Sequence, residues 1–248
     1  MLGVAVIGAA GRMGRLTCAA VGETDDLELV ASIDRSGSVG DAVLAGAQVV
    51  VDFTTPDASP SVVEAAVTAG LHVVVGTSGY DEERLQSVRN LLASHAGVGV
   101  VVVPNFALGA VLLMRFAREA AVWFESAEIV ELHHPDKLDA PSGTAKHTAH
   151  EIAAVRRAAG VAAAPDATRT SVAGARGADI DGVPVHSVRL RGLVAHEEVL
   201  FGNPGEALTL RHDSFDRASF IPGVLLAVRR VASSPGLTVG LEPMLQLG

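Results

Sequence analysis

The sequence predicts an α/β fold in which a doubly wound parallel sheet is joined to a second, α+β domain with a mixed or antiparallel sheet. Three observations predict it. Short apolar runs alternate with helical stretches up to Phe106, that rhythm breaks there, and three strand-like runs later follow one another with only short links.

Gly3 to Gly8 (GVAVIG) is a continuous apolar run, the mark of a strand buried on both faces, and a tight turn then leads into a helical stretch through about Val21. A second strand, Leu27 to Ile33, ends at Asp34 and completes a βαβ unit. The pattern repeats with strands at Val49 to Phe53, His72 to Thr77 and Val98 to Val103, and helices at Pro60 to Ala69 and Asp81 to Ser94. Polar or glycine-rich tips follow these strands at Phe53-Thr54-Thr55, Gly76-Thr77-Ser78-Gly79 and Pro104-Asn105-Phe106. Open α/β sheets bind ligands beyond the carboxyl ends of their strands, so the tips mark a candidate crevice.

Beyond Phe106 the sequence predicts a helix from Gly109 to Trp123, a strand from Ala127 to His133, a Pro/Gly-rich loop and a helix from Thr144 to about Ala159. Ala162 to Gly182, rich in Ala, Gly, Thr and Asp, reads as a mobile loop. Strands at Pro184 to Leu190, Ala195 to Phe201 and Ala207 to His212 follow, separated by turns at Arg191-Gly192 and Gly202-Asn203-Pro204-Gly205. Phe220 to Ser233 reads as a helix, and Leu237 to Leu247 as a short apolar tail that packs back on the first domain. The domain expectation is therefore residues 1–107 with 217–248 in one domain, and 108–216 in the other.

Composition narrows the function. Hydrophobic residues make up 49% of the 248 and charged ones 19%, enough apolar material for a buried core. A net charge of −9 offers no electrostatic footprint for nucleic acid, which is bound through clustered Lys and Arg. The longest apolar runs fall far short of the ~20 residues that span a bilayer, so no membrane association is expected. One cysteine, Cys18, excludes an intrachain disulfide, and with an opening that is strand-like instead of signal-like it points to a reducing cytoplasm.

Gly8, Gly11 and Gly14 stand where the first strand turns into the first helix. Glycines there let backbone amides approach a pyrophosphate at a helix N-terminus, which makes the first domain Rossmann-like, although the spacing is GxxGxxG and not GxGxxG. Asp34 ends the second strand about 20 residues past Gly14, where a ribose-binding acid belongs. Its carboxylate would accept from a 2′-hydroxyl and repel a 2′-phosphate. Arg12, Arg15 and Arg35 could offset that repulsion, so NADH and NADPH both remain open.

The richest segment is ELHHPDKLDAPSGT, Glu131 to Thr144. Alternation along a strand sends His133 and His134 to opposite faces unless the strand breaks, and Pro135 favours a break. Lys137 can then swing to the same opening. Ser142, Gly143 and Thr144 begin a helix, where hydroxyls, amides and the helix dipole favour a carboxylate, so an anionic substrate beside a general acid is implied. A metal reading through His133, His134 and Asp136 fails on the neighbouring ammonium and on the absence of Cys or HExxH-type spacing. His147 and His150 fall on an exposed or interfacial face of the next helix.

Over essentially its whole length the chain resembles the dihydrodipicolinate reductase family, also called 4-hydroxy-tetrahydrodipicolinate reductases. The likeness rests on GAAGRMG (Gly8 to Gly14), VDFT (Val51 to Thr54), GTSG (Gly76 to Gly79), PNFALG (Pro104 to Gly109) and ELHHPDKLDAPSGTA (Glu131 to Ala145). The resemblance implies a proton-donor histidine at His133, a catalytic lysine at Lys137, and substrate contacts from His134, Gly143 and Thr144 with Ser142 beside them. It implies cofactor contacts from Gly8, Ala9, Ala10, Gly11, Arg12 and Met13, from Asp34, from Gly76, Thr77 and Ser78, and from Val103, Pro104, Asn105 and Phe106. The implied reaction is hydride transfer from NADH or NADPH to a cyclic α,β-unsaturated imine dicarboxylate, then protonation to tetrahydrodipicolinate, in lysine and diaminopimelate synthesis. A homotetramer built through the second domain's sheet is implied as well.

The chain departs from the commoner pattern with Asp34 in place of Glu, Ala10 where some relatives are basic, and Ser78 in place of Thr, which leaves the choice of nicotinamide cofactor open. Two rival readings are a reductase of another amino acid or sugar, and a silent dinucleotide sensor that keeps the fold without the chemistry.

Overall fold

The computed structural model describes residues 1–245. They form two compact units, Met1–Leu108 together with the chain from Arg217, and Gly109–Asp216.

The first unit is built on β1 (Leu2–Ile7), β2 (Leu27–Ile33), β3 (Val49–Asp52), β4 (His72–Val75) and β5 (Gly99–Val102). Between them run α1 (Arg12–Gly22), α2 (Val39–Leu44), α3 (Ser59–Thr68) and α4 (Glu82–Leu92). The valine-rich central strands are buried along their length, as expected where helices cover both faces of a parallel sheet. Each fully buried valine contributes about 1.5–3 kcal/mol relative to an exposed one. Asp81 starts α4 by accepting from the Arg84 amide at 3.0 Å, and Glu82 and Glu83 complement the positive helix end. The short helix α2 was not anticipated. A reciprocal cap between Ser38 and Asp41 holds its first turn.

After α4 and β5 the chain leaves this unit and returns through a 3-10 turn at Arg217–Phe220, α7 (Ile221–Val231) and β11 (Gly236–Val239). The apolar tail is thus partly a strand, a correction to the sequence reading. β11 pairs in parallel with β5, and its flanking amides, Gly236 N and Gly240 N, donate at 2.9 Å to Val98 O and Val102 O. Positions 246–247 of that tail lie outside the described residues. The six-stranded sheet has the order β11-β5-β4-β3-β1-β2 and every pairing in it is parallel. Strand order reverses between β1 and β3, which puts the switch point where ligands bind at the Gly8 turn.

The second unit contains α5 (Leu108–Ala120, straddling the boundary), β6 (Ser126–His133), α6 (Gly143–Ala158), β7 (Ala178–Ile180), β8 (Val183–Arg189), β9 (Ala195–Asn203) and β10 (Glu206–Ser214). Its five-stranded sheet is ordered β10-β9-β6-β8-β7, with β6 and β8 parallel and the other pairs antiparallel. The sheet is therefore mixed. Ile129, Val185, Val199 and Phe201 point from one face onto Leu113 and Ala117 of α5 and Ala145, Ala149 and Ile152 of α6. The stretch 162–182, read as a loop, ends in β7. Asp181 (φ 53) and Gly182 (φ 88) turn β7 into β8, and the Asp-Gly pair that marks such a hairpin was present in the sequence.

Helix α7 seats on the sheet only because two glycines lack side chains. A Cβ at Gly99 would lie 2.2 Å from Val231 O, and one at Gly223 would lie 2.0 Å from Phe106 O. Gly97, two residues from Gly99, has nothing within 4 Å of such an atom. Gly99→Ala is expected to destabilise the chain by about 2 kcal/mol and Gly97→Ala by under about 0.5 kcal/mol in urea unfolding. Equal midpoints for the two variants would refute this account of the α7 contact.

Candidate active site

In the first unit the chain turns out of β1 at Gly8, whose φ of 82° suits glycine. Gly8 N and Ala9 N both donate to Ile33 O, at 2.9 and 3.0 Å, so the turn is tied to the end of β2. A Cβ at Gly8 would meet Phe53 O at 2.4 Å, and one at Gly14 would meet Gly8 O at 2.2 Å. Bare backbone is thus required twice. The N-cap of α1 is Gly11, which brings no capping side chain, so the first-turn amides of Arg12 and Met13 are left for a ligand. Ala10, Gly11 and Arg12 are exposed, and Ala9 and Met13 half-buried.

Asp34 is exposed just beyond β2 and accepts from Ser36 N at 2.9 Å and Ser36 Oγ at 2.8 Å, both on Oδ1. Those bonds, the backbone one first, hold its carboxyl below the usual range, so it stays an acceptor suited to a ribose hydroxyl. At the end of β4, a Cβ on Gly76 would lie 2.2 Å from the Phe53 ring and 2.9 Å from that of Phe106. The two rings meet edge to face at 5.8 Å, so Gly76 lets the tips after β3, β4 and β5 close together. Thr77 Oγ1 donates to Asp52 O at 3.4 Å, and Asn105 Oδ1 accepts from Ala107 N at 2.9 Å. Val103 N donates to Val75 O at 2.9 Å. These groups fit a dinucleotide: a glycine cradle that a Cβ would fill, open helix amides, and an acceptor at the end of β2.

Under these tips lies a group the sequence reading missed. Asp52 is fully buried at the end of β3 and accepts from Thr54 N (2.9 Å), Thr54 Oγ1 (2.6 Å) and the Ser59 hydroxyl, which itself lies 2.8 Å from Tyr80 Oη. The VDFT and GTSGY segments are therefore locked to one another and to α3.

The second unit carries its own cluster of polar side chains, at the end of β6 and the start of α6. Glu131, fully buried near the end of β6, accepts from His133 Nδ1 at 2.5 Å, from both terminal nitrogens of Arg189 at 2.8 Å, and from Ser142 N at 3.2 Å. Burial alone would raise its carboxyl, but the bonds from His133 and Arg189 outweigh it and hold the group down to about 2. The sequence reading used Glu131 only to mark the start of the segment. Residues i and i+2 of a strand share a face, so an acid two residues before His133 was a legible signal; Arg189, 58 residues further on, carried none.

β6 ends at His133, so His134 lies past the break that Pro135 favours. Lys137 Nζ pairs with Asp139 Oδ1 at 2.7 Å, and Asp139 is held below the usual carboxylate range by that lysine first and in part by the Gly143 amide. Arg189 also donates to Asp139 O at 2.7 Å. Ser142, expected among the substrate contacts, is 2% exposed, and its hydroxyl accepts from Ala145 N at 3.1 Å. It caps α6. Gly143 is exposed and Thr144 half-buried at the start of that helix, and the exposed His150 bonds Asp181 at 2.9 Å. Among the described residues no group of three metal-ligating side chains occurs.

Because the folded carboxyl of Glu131 sits near 2, below an unfolded value of about 4.3, its stabilising contribution is present above the unfolded value and lost as pH falls between the two. Arg189→Met removes its bidentate partner and is expected to cost about 3–5 kcal/mol at neutral pH, a deficit that narrows through that acid window. Denaturant unfolding over a pH series measures it. A constant deficit down to the acid end would remove the ion pair as its cause.

Residues 2–106 match the family model described as dihydrodipicolinate reductase, N-terminus, and residues 109–245 the one described as dihydrodipicolinate reductase, C-terminus. A protein of Beutenbergia cavernae named 4-hydroxy-tetrahydrodipicolinate reductase is 60% identical over 245 residues, covering 98% of both chains. The Corynebacterium efficiens protein of that name is 58% identical over 244 residues, again 98% of each. The structure of dipicolinate-bound dihydrodipicolinate reductase from a Paenisporosarcina species superposes with a TM-score of 0.87 at 36% identity, covering 98% of this chain and 99% of that one. With both halves matched in order and the glycine turn and Glu131–Thr144 segment inside the matches, the chain belongs to the dihydrodipicolinate reductase family.

Proposed function

We propose that the chain reduces the cyclic α,β-unsaturated imine dicarboxylate formed from 4-hydroxy-tetrahydrodipicolinate to tetrahydrodipicolinate, with NADH or NADPH, in lysine and diaminopimelate synthesis. The observation that carries this reading is the bond between Glu131 and His133 Nδ1. An ionised carboxylate can only accept, so Nδ1 carries its proton and Nε2 is the nitrogen left to deliver one. When bound, the nicotinamide supplies a hydride. Gly8, Ala9, Ala10, Gly11, Arg12 and Met13 hold its pyrophosphate, Asp34 takes a ribose hydroxyl, and Gly76–Ser78 with Val103–Phe106 border the cofactor.

His133 protonates the reduced carbon skeleton, and the Lys137 ammonium supports the developing charge. His134, Gly143 and Thr144 bind the substrate's carboxylates, and Ser142 shapes the helix start that presents them. Asp139 supports that assignment: a carboxylate is already satisfied there by Lys137 and the Gly143 amide. The dipicolinate bound to the Paenisporosarcina enzyme is a dicarboxylate of the same class. The free thiol of Cys18 supports a cytoplasmic location. No helix among the described residues is long and apolar enough to cross a membrane.

His133→Gln and Lys137→Ala are each expected to lower kcat by about 10²–10⁴ while leaving nucleotide binding nearly intact. A coupled assay that generates the precursor and follows NADH and NADPH oxidation separately checks this. Unchanged turnover in both variants would defeat the assignment, whereas activity confined to another amino acid or a sugar, or nucleotide binding with no turnover of any substrate, would favour the rival readings.

A homotetramer through the second sheet is the assembly that its open face supports. Alternation places Val130 and Leu132 of β6, Val188 of β8 and Leu200 of β9 on the side opposite α5 and α6. His196 and Asp213, bonded at 2.6 Å, and Arg211 with Glu198 stand among them. Light scattering is expected to give four times the chain mass of 25.4 kDa, and a monomer mass would rule the assembly out.

A further inference from the structure

One buried acid of the second unit has no place in the chemistry above. Glu197 stands on β9 directly opposite Glu131 on β6 and directly opposite His212 on β10. Residues paired in this way point to the same side of the sheet with Cβ atoms about 4.5–5.5 Å apart, so Glu197 lies beside the carboxylate that holds His133. Its side of the sheet is the one α6 covers. Glu197 is 6% exposed, and its Oε1 is buried without a hydrogen-bond partner among the described residues.

Among the described residues no cation is bonded to it. Glu131 is the charged group facing it from β6, with His133 two residues further on and Arg189 already spent on Glu131. From β10 it faces His212, which burial holds below its ordinary range and whose ring packs on Gly109 at the start of α5. From α6 it meets the Thr148 hydroxyl. Two carboxylates this close share protons as a pair: the one with four donors keeps the charge, and the one without a cation keeps the proton.

We propose that Glu197 is a positioning residue for His133, acting through Glu131: as a neutral acid it leaves the charge beneath the histidine to Glu131, and its ionisation switches proton delivery off. With Glu197 neutral, the charge of Glu131 is shared by Arg189 and the Nδ1–H of His133. With Glu197 ionised, a second negative charge enters the same buried pocket, strengthens the hold on the imidazolium and makes Nε2–H a poorer donor. Burial pushes the Glu197 carboxyl up to about 7, opposed by the Thr148 hydroxyl and reinforced by the charge of Glu131. The switch therefore falls near neutrality.

The kinetic arm of the test rests on the proposed reduction, and the spectroscopic arm does not. Infrared difference spectra of the full-length protein are expected to show the carbonyl stretch of a protonated acid at about pH 6 that is lost by about pH 8, and Glu197→Gln is expected to lack that change. In steady-state assays, kcat is expected to fall on the alkaline side of about pH 7, and the midpoint of that fall is expected to move in Glu197→Gln. Should that variant fold poorly, Thr148→Val keeps the acid but removes the hydroxyl that favours its charged form. The infrared and kinetic midpoints should then move together to higher pH. An unchanged carbonyl band in Glu197→Gln, or a kcat limb at the same pH in wild type and both variants, overturns the proposal; a protein that shows the band change but reduces nothing overturns the assigned reaction and leaves the ionisation of Glu197 in place.

Discussion

A carboxylate cut off from water must be matched by donors in the protein, because its desolvation costs several kcal/mol if it stays charged and unpaired. Glu131 is matched from three directions: by His133 on its own strand, by Arg189 on the neighbouring strand, and by the backbone of Ser142 where α6 begins. The end of β6, the end of β8 and the start of α6 are thereby fixed to one point. The orientation of the His133 ring and the placing of the Gly143 and Thr144 amides follow from that point. Fixing a histidine's tautomer through its other nitrogen is a general way of aiming the free one.

The first unit reaches its organisation by the opposite means. Where the second gathers charge, the first removes side chains. Gly8, Gly14 and Gly76 each stand where a Cβ would strike backbone or an aromatic ring. The chain can therefore bring three strand tips together and leave helix amides exposed at the reversal of strand order. Asp52, Ser59 and Tyr80 keep those tips in place with hydrogen bonds beneath them.

The two buried acids of the second sheet show that environment decides what a carboxyl does. Glu131 and Glu197 have the same side chain and occupy facing positions on paired strands. Hydrogen bonds from His133 and Arg189 hold the first down to about 2 against its burial, and burial, reinforced by the charge of Glu131, pushes the second up to about 7. Nothing in the run AHEEV distinguishes Glu197, which is buried, from Glu198, which pairs with Arg211 on the open face.

Local pattern sufficed for much of this protein. Valine runs broken by polar tips gave the parallel sheet, Gly8-x-x-Gly11-x-x-Gly14 after a strand gave the bare-backbone turn, and the clustering of His133, His134, Lys137 and a helix start within one segment marked the candidate anion site, because each of these depends on neighbours in sequence. The strand β11 was hidden because four residues of edge strand differ little from an apolar tail until β5 is known to lie beside them. The roles of Arg189, Asp52 and Glu197 were hidden for a stronger reason. A buried charge takes its state from groups that only the folded chain brings within hydrogen-bonding reach, and the register of β6 against β8 and β9 chose those groups.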